Sequence, residues 1–503
     1  MILLDITTSY NFRHWKAMGL LRVEHEVIRA FREALGEAVT FGIYNPTLGG
    51  YFRVAPEEVD ALISARGWHV PKRDRVPTSP SRLNRHMRRF RLARDLRRAV
   101  RRHPGTDPLA EWRRDEAIAE ALTAVSLEEY SSLRRWLSPV EKLAPQLTPL
   151  MLRADMVNHR LHFGQLDALA PHRFAPGNAI DLSQVSHYIS AGGFWSDDRA
   201  EFAYRARRTY GWKVHYLLYD LIPVLWRHLT EPTTKETFPL ALHWVLWGVD
   251  QVWTISDTTR RDLLGHVAQN GYPPIPDRWV TPVLLGADST SASDEDISRA
   301  VLARHDLDRD GYVLMVGTLE PRKNHDFAYR LWREMNRRHP EKVLPLVFVG
   351  QPGWSMDPFI EMLAEDVGLP HKAIRILTDV DDEALGVLYD NCRFTLYPSH
   401  YEGWGLPVVE SLNHGKPCLC SDAPSIVEAA QGAADCLPVM DGEAWIARAM
   451  ALMTDPATHA EALARARAFG GYSWQDFRHN LIADFESFRD APAPVSAPAA
   501  HTG

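Results

Sequence analysis

Short apolar, β-rich runs alternate with amphipathic helical stretches along the chain, and this alternation constrains the fold more than any other feature. Apolar runs fall at 2–6, 39–43, 214–219, 252–255, 312–316, 346–349, 374–377 and 393–397, with helical patterns such as 23–35, 258–267 and 326–337 between them. A strand buried on both faces reads as an unbroken apolar run, and strands joined through helices pair in parallel. The expected class is therefore α/β with doubly wound sheets. At 503 residues the chain exceeds one ordinary domain. Two are expected, over 1–290 and 311–489, with a polar, poorly patterned linker at 291–310 and an Ala-Pro-rich tail from 490 that reads as disordered. Two open sheets of this kind face a central cleft at the carboxyl ends of their strands, where such sheets bind ligands.

Charge divides the first half further. The chain carries −7 overall, yet residues 72–114 hold 15 Lys or Arg against four acids, a local +11. This basic block opens an insertion expected over about 72–146. Its centre, 83–100, has apolar residues at helical intervals with arginines around them, as in a helix lying on anionic lipid headgroups. An Arg-rich helix packed on the chain's own acidic remainder is the alternative reading. Nucleic acid is not expected as a partner, because aromatic interleaving and any reader motif are missing from the block. Four cysteines, all late in the chain, are too few for a disulfide scaffold, and Cys418-Leu419-Cys420 has the wrong spacing for a zinc knuckle. The start, Met1-Ile2-Leu3-Leu4-Asp5, lacks the basic flank and long apolar core of an export signal, and no run approaches the ~20 apolar residues of a membrane span. A cytoplasmic setting is expected.

Two loops carry the chemistry. After the run 312–316 comes Gly317-Thr318-Leu319-Glu320-Pro321-Arg322-Lys323-Asn324 and then a helix, with Asn324 placed to cap it. Arg322 and Lys323 thus stand at a strand end beside a helix N-terminus, where a diphosphate is held by charge and forked donors. An exposed basic pair with no ligand is the plainer alternative. After 393–397 comes Pro398-Ser399-His400-Tyr401-Glu402-Gly403-Trp404-Gly405-Leu406-Pro407-Val408-Val409-Glu410. Here two glutamates stand eight positions apart around a Gly-x-Gly turn, with a helix starting near Pro407. The glycines let backbone approach a ligand closely. Glu402 is expected in the loop and Glu410 on the first helical turn, one carboxylate for a sugar ring and the other for ribose hydroxyls. A turn residue and a dipole-favoured helix acid are the plainer readings.

The string Glu402-Gly403-Trp404-Gly405-Leu406-Pro407 ending in Glu410, with the Gly317 to Asn324 loop, resembles the signature of retaining glycosyltransferases of family four (group 1). Phe348-Val349-Gly350, Val380-Asp381-Asp382-Glu383-Ala384-Leu385 and Leu388-Tyr389 fall in the same order. In the first half Met18-Gly19-Leu20-Leu21-Arg22-Val23-Glu24, Tyr219-Asp220-Leu221-Ile222-Pro223 and Ile255 to Leu263 are similar to family motifs. The resemblance implies a GT-B fold, two Rossmann-like domains, with acceptor on the first and nucleotide sugar on the second. Carried over, it implies that Arg322 and Lys323 neutralise the leaving diphosphate, with Gly317 and Thr318 among the residues that bind the nucleotide sugar. It implies that Glu402 and the backbone of Gly403, Trp404, Gly405 and Leu406 meet the sugar, and that Glu410 meets the ribose.

Thr318 stands where many members have Arg. Tyr219 stands where many have a histidine, so Asp220 becomes the substitute catalytic candidate, ahead of His187 and His215. Asp379-Val380-Asp381 suits helix capping better than metal binding, and no metal or cofactor is expected. The Glu-Pro-Arg-Lys-Asn and Tyr-Asp-Leu-Ile-Pro variants are similar to those of bacterial mannosyltransferases of polysaccharide and O-antigen synthesis. GDP-mannose is the first donor choice, with UDP-glucose and dTDP-rhamnose open, and a polysaccharide or lipid-linked oligosaccharide the expected acceptor at the inner membrane face. A catalytically impaired GT-B scaffold and a nucleotide-sugar epimerase are the alternatives.

Overall fold

The computed structural model describes residues 1–13, 19–46, 48–64, 176–287, 294–366, 373–378 and 380–490. The insertion 72–146 with its basic block, Met18 of the early loop, residues 291–293 of the expected linker, Asp379 and the tail from 491 lie outside these residues. The chain divides into two compact units, Met1–Val214 and His215–Gly503.

In the first unit, strands β1 (Ile2–Asp5), β2 (Val39–Asn45), β3 (Gly50–Arg53) and β4 (His187–Ser190) lie in the order β3-β2-β1-β4. β1 is parallel to β2 and β4, and β3 runs antiparallel to β2 at the edge. Every residue of β1 and β2 is buried, which is why both read as unbroken apolar runs. The helix Leu20–Leu35 covers the sheet with Val23, Val27, Ile28 and Phe31. The helix Arg199–Tyr210 stops at Gly211, whose left-handed φ of 78° lets its amide reach back to Arg207 O. Between the carboxyl ends of β1 and β4 sits a buried polar centre. Arg199 reaches Asp5 at 3.3 Å and Asp197 at 2.7 Å, and Ser9 Oγ donates to Glu24 Oε2 at 2.5 Å. Burial, with Asp5 adding to it, pushes the Glu24 carboxyl up to about 8 against the Ser9 hydrogen bond. Gly192 is required here, since a Cβ would lie 2.5 Å from Glu24 Oε1 and 2.4 Å from Thr8 Oγ1.

The boundary falls within β5 (Lys213–Leu218), and the second unit holds the rest of it with the parallel strands β6 (Gln251–Thr254) and β7 (Val280–Pro282), and a second sheet of six parallel strands. These six are β8 (Val313–Val316), β9 (Leu346–Val349), β10 (Ile374–Leu377), β11 (Phe394–Tyr397), β12 (Cys418–Ser421) and β13 (Asp435–Leu437), in the order β10-β9-β8-β11-β12-β13. The helix Trp474–Asp490 packs back on β6, where Asp484 Oδ2 accepts from Gln251 at 2.7 Å and Trp253 Nε1 at 2.9 Å. Within the expected linker, Glu295–Arg304 is a helix capped by Asp294, and its Leu302 joins a cluster with Leu307, Tyr312 and Leu314. Parallel strands joined through helices in these orders are the doubly wound, Rossmann-like α/β class expected for a GT-B protein. Among the described residues no helix is long and apolar enough to cross a membrane.

The six-stranded sheet has one feature that positions everything below. The chain builds outward from β8 through β9 to β10, then returns to lay β11 on the other side of β8. The loops leaving the carboxyl ends of β8 and β11 are thereby neighbours, at the switch point where such sheets hold ligands.

Candidate active site

The two loops that stand out in the sequence are the two that meet at this switch point. After β8 the chain turns at Gly317 and makes one tight turn over Pro321–Lys323. Gly350 is needed on the neighbouring β9 loop, because a Cβ there would sit 2.0 Å from Gly317 O. Asn324 stands at the N-cap position of the helix His325–Arg338, but its left-handed backbone (φ 63°) leaves the side chain uncapping. Its Nδ2 instead donates to Pro398 O at 3.1 Å, and His400 N donates to Arg322 O at 3.0 Å. These bonds tie the first loop to the second.

Across this seam lies a charge cluster. The Glu402 carboxylate accepts from Lys323 Nζ on Oε1 at 2.7 Å and from Arg322 Nη1 on Oε2. Arg322 Nη2 reaches Glu320 Oε1 at 2.5 Å and Nη1 reaches Tyr401 O at 3.3 Å. Lys323 Nζ also donates to Tyr397 Oη at 2.6 Å. Glu402 and Lys323 are buried, so each charge depends on its partners. Burial alone would raise the Glu402 pKa, yet Arg322 and Lys323 hold it at about 2. Burial lowers the Lys323 pKa against the opposing pull of Glu402. Asp220, in the loop after β5, is pushed up to about 6 by burial, with Arg322 opposing. Its Oδ1 accepts from Ile222 N at 2.9 Å. The cluster thus presents two cations on short tethers, held by carboxylates that an incoming anion can relieve.

The Gly-x-Gly turn is clamped from the other side. A Cβ on Gly403 would lie 2.3 Å from Tyr219 O and 3.2 Å from Asp220 Cβ. Gly403 O accepts from Ser256 Oγ at 2.7 Å, and Thr259 Oγ1 donates to Tyr219 O at 3.2 Å. Glu428 carries this clamp further, accepting from the amides of Asp257 at 2.7 Å and Thr258 at 3.0 Å. Gly405, at φ 118°, opens the helix Leu406–Asn413. Trp404 itself is 2% exposed and packs edge-on against Tyr472 at 5.0 Å, so its indole faces the interior.

Of the residues singled out in the sequence, Asp220, Arg322, Lys323, Glu402 and Gly403 are drawn together. Gly317 adjoins them, since a Cβ on it would stand 3.5 Å from Lys323 Cε, while Thr318 is exposed. Glu410 lies in the second turn of its helix rather than the first, because the helix begins at Leu406. Its Oε2 accepts from Tyr389 Oη at 2.9 Å. His215 is a core residue of β5: it bonds Gln251 at 2.8 Å and stacks on Trp253. His187 lies on β4 in the first unit. Sequence reasoning missed Glu320 and Tyr397. Both could have been found from their places, one two residues before Arg322 and the other closing the strand before Pro398.

Residues 301–469 match the family described as Glycosyl transferases group 1. The chain is 31% identical over 240 residues to O-antigen chain mannosyltransferase B of Escherichia coli, covering 47% of this chain and 60% of that one. It is 29% identical over 222 residues to the serotype-specific mannosyltransferase WbdA of Escherichia coli, covering 43% and 27%. It is also 30% identical over 220 residues to a D-inositol 3-phosphate glycosyltransferase of Rhodococcus opacus (strain B4), covering 42% and 47%. The chain thus spans less than two thirds of the length of these curated relatives. Sheet order, loop geometry and the family match all fall on the same segment: residues 301–469 are similar to the glycosyl transferases group 1 family, on a chain that resembles O-antigen mannosyltransferases.

Proposed function

We propose that this protein is a retaining hexosyltransferase that moves mannose from GDP-mannose to a polysaccharide or lipid-linked oligosaccharide acceptor. The observation that supports this reading is the Glu402 carboxylate seated between Lys323 and Arg322, at the switch point of a parallel sheet, inside the group 1 segment. The relatives named mannosyltransferases favour mannose over other hexoses. In the reaction the bond from the sugar's anomeric carbon to the diphosphate breaks. The acceptor oxygen bonds the same carbon on the same face, and its proton passes to the departing diphosphate. Charge builds on that diphosphate, and stabilising it is the main demand on the protein. Lys323 and Arg322 meet it without a metal. A unit-charge pair about 4 Å apart contributes about 4 kcal/mol at an effective dielectric near 20. Glu402, kept ionised by the same two cations, turns to the sugar as the diphosphate takes them over, and Asp220 stands beside the reacting centre. The basic block at 72–114 would hold the enzyme at the inner face of the cytoplasmic membrane, where lipid-linked acceptors are presented.

A donor panel tests the reading: GDP-mannose, UDP-glucose and dTDP-rhamnose, with release of nucleoside diphosphate measured and the anomeric configuration of the product read by NMR. Turnover of GDP-mannose with retention supports it, and turnover of another donor alone, or with inversion, contradicts it. Binding and turnover of none of them would overturn it.

A further inference from the structure

Beside the charge cluster stands an aromatic surface that the transfer chemistry does not use. Trp226 follows the short helix Ile222–Leu225, and its amide closes that turn on Ile222 O at 2.8 Å, directly after the Asp220 loop. Its residue is 38% exposed, unusual for an indole so close to a polar site. The ring centroid lies 5.4 Å from that of Tyr401 at 31°, and 6.1 Å from that of His228. Tyr401 is in turn fixed. Its hydroxyl donates to Asp262 Oδ2 at 2.5 Å, its carbonyl accepts from Arg322, and its peptide leads into Glu402. The exposed indole thus follows the Asp220 loop in the chain and packs against Tyr401, the residue before Glu402. His228 and His400 are exposed near it. Partial desolvation of its ring, and then the neighbouring His228, lower the His400 pKa, favouring a neutral ring that both donates and accepts.

We propose that Trp226, backed by Tyr401, is the platform on which the acceptor's sugar ring stacks, with His228 and His400 serving its hydroxyls. The inference rests on the glycosyltransferase reading and names the acceptor side of that site. A hexopyranose has one apolar C–H face and a rim of hydroxyls. A flat, rigid, exposed aromatic with polar neighbours matches that chemistry, as ligand sites pair apolar surface with a few placed polar groups. The platform adjoins Tyr401. The expected ribose contact, Glu410, is engaged instead with Tyr389, on a different helix.

The test measures binding of two probes, GDP and an α-linked mannobiose, to the full chain by calorimetry and saturation-transfer NMR. In Trp226→Ala the mannobiose affinity is expected to fall about tenfold or more while the GDP affinity holds, with Trp226→Tyr recovering most of the loss. If Trp226→Ala does not fold, Trp226→Leu takes its place, keeping apolar bulk without a flat face. Undiminished mannobiose affinity without the indole overturns the platform. So does an equal loss of GDP, which would assign Trp226 to the donor, and so does a wild type that binds GDP but no mannobiose. A wild type that binds no nucleoside diphosphate overturns the glycosyltransferase reading itself, and the platform with it.

Discussion

Gly403→Ala isolates the clamp on the Glu402 turn, since it adds one methyl group and removes no functional atom. That Cβ would stand 2.3 Å from Tyr219 O, and 3.2 Å from both Asp220 Cβ and Ile255 Cδ1. A carbon meets a carbonyl oxygen comfortably only at about 3.3 Å or more, so the turn and the Tyr219 loop must part by about 1 Å. The nearest obstacle is backbone, with no side chain free to swing away. Overpacking of this kind costs about 1–3 kcal/mol. Parting also stretches the 2.7 Å bond from Ser256 Oγ to Gly403 O, worth about 1 kcal/mol more. Because Glu402 precedes Gly403 and Asp220 follows Tyr219, the same movement separates two members of the charge cluster. A misplacement near 1 Å at a reacting centre costs about a hundredfold in rate. Urea unfolding should therefore show a loss of about 2–4 kcal/mol. Steady-state transfer should show kcat falling about a hundredfold. A variant that matches wild type in both would refute the claim that this contact sets the site's geometry.

The carboxylates give two further expectations from pH. Glu402, held at about 2 against an ordinary 4.5, stabilises the fold above pH 4.5, and that contribution is lost as pH falls from 4.5 through 2. Glu402→Gln should abolish this acid limb in urea titrations and, by leaving Lys323 and Arg322 under-compensated, cost about 3 kcal/mol at pH 7. Glu24 has the opposite sign. Its folded pKa is raised to about 8, so the unfolded chain binds fewer protons between pH 4.5 and 8, and stability falls as pH rises through that window. Glu24→Gln should flatten the slope, by a few kcal/mol at most. An unchanged slope would mean that Glu24 is ionised in the folded chain.

What the sequence makes legible follows from what each element must bury. β8, β9 and β11 are buried strands of a parallel sheet, so they read as apolar runs and their ends are placed within a residue. β4 (His187–Ser190), β12 (Cys418–Ser421) and β13 (Asp435–Leu437) carry polar or small residues, and β3 is a four-residue edge strand. None gives a periodic signal strong enough to read. Glu402, Arg322 and Lys323 are visible as motifs. Their mutual pairing is not, because it depends on β11 lying beside β8, a fact of strand order. For the same reason the Asp5, Glu24 and Arg199 centre is invisible: its members come from three separate parts of the chain. The helix Glu295–Arg304 hides behind an acidic first turn that resembles a polar linker, although Asp294 caps it and Leu302 anchors it.

The central claim is that Lys323 and Arg322 carry the charge of a departing diphosphate, and one comparison tests it most directly. Transfer from the preferred nucleotide sugar is measured for wild type and for Lys323→Ala at saturating donor, with folding of both verified by urea unfolding. Loss of kcat by about a hundredfold or more in a folded variant is the expected result, the scale for removing one donor to developing negative charge. A folded Lys323→Ala protein that transfers sugar at the wild-type rate would contradict the account.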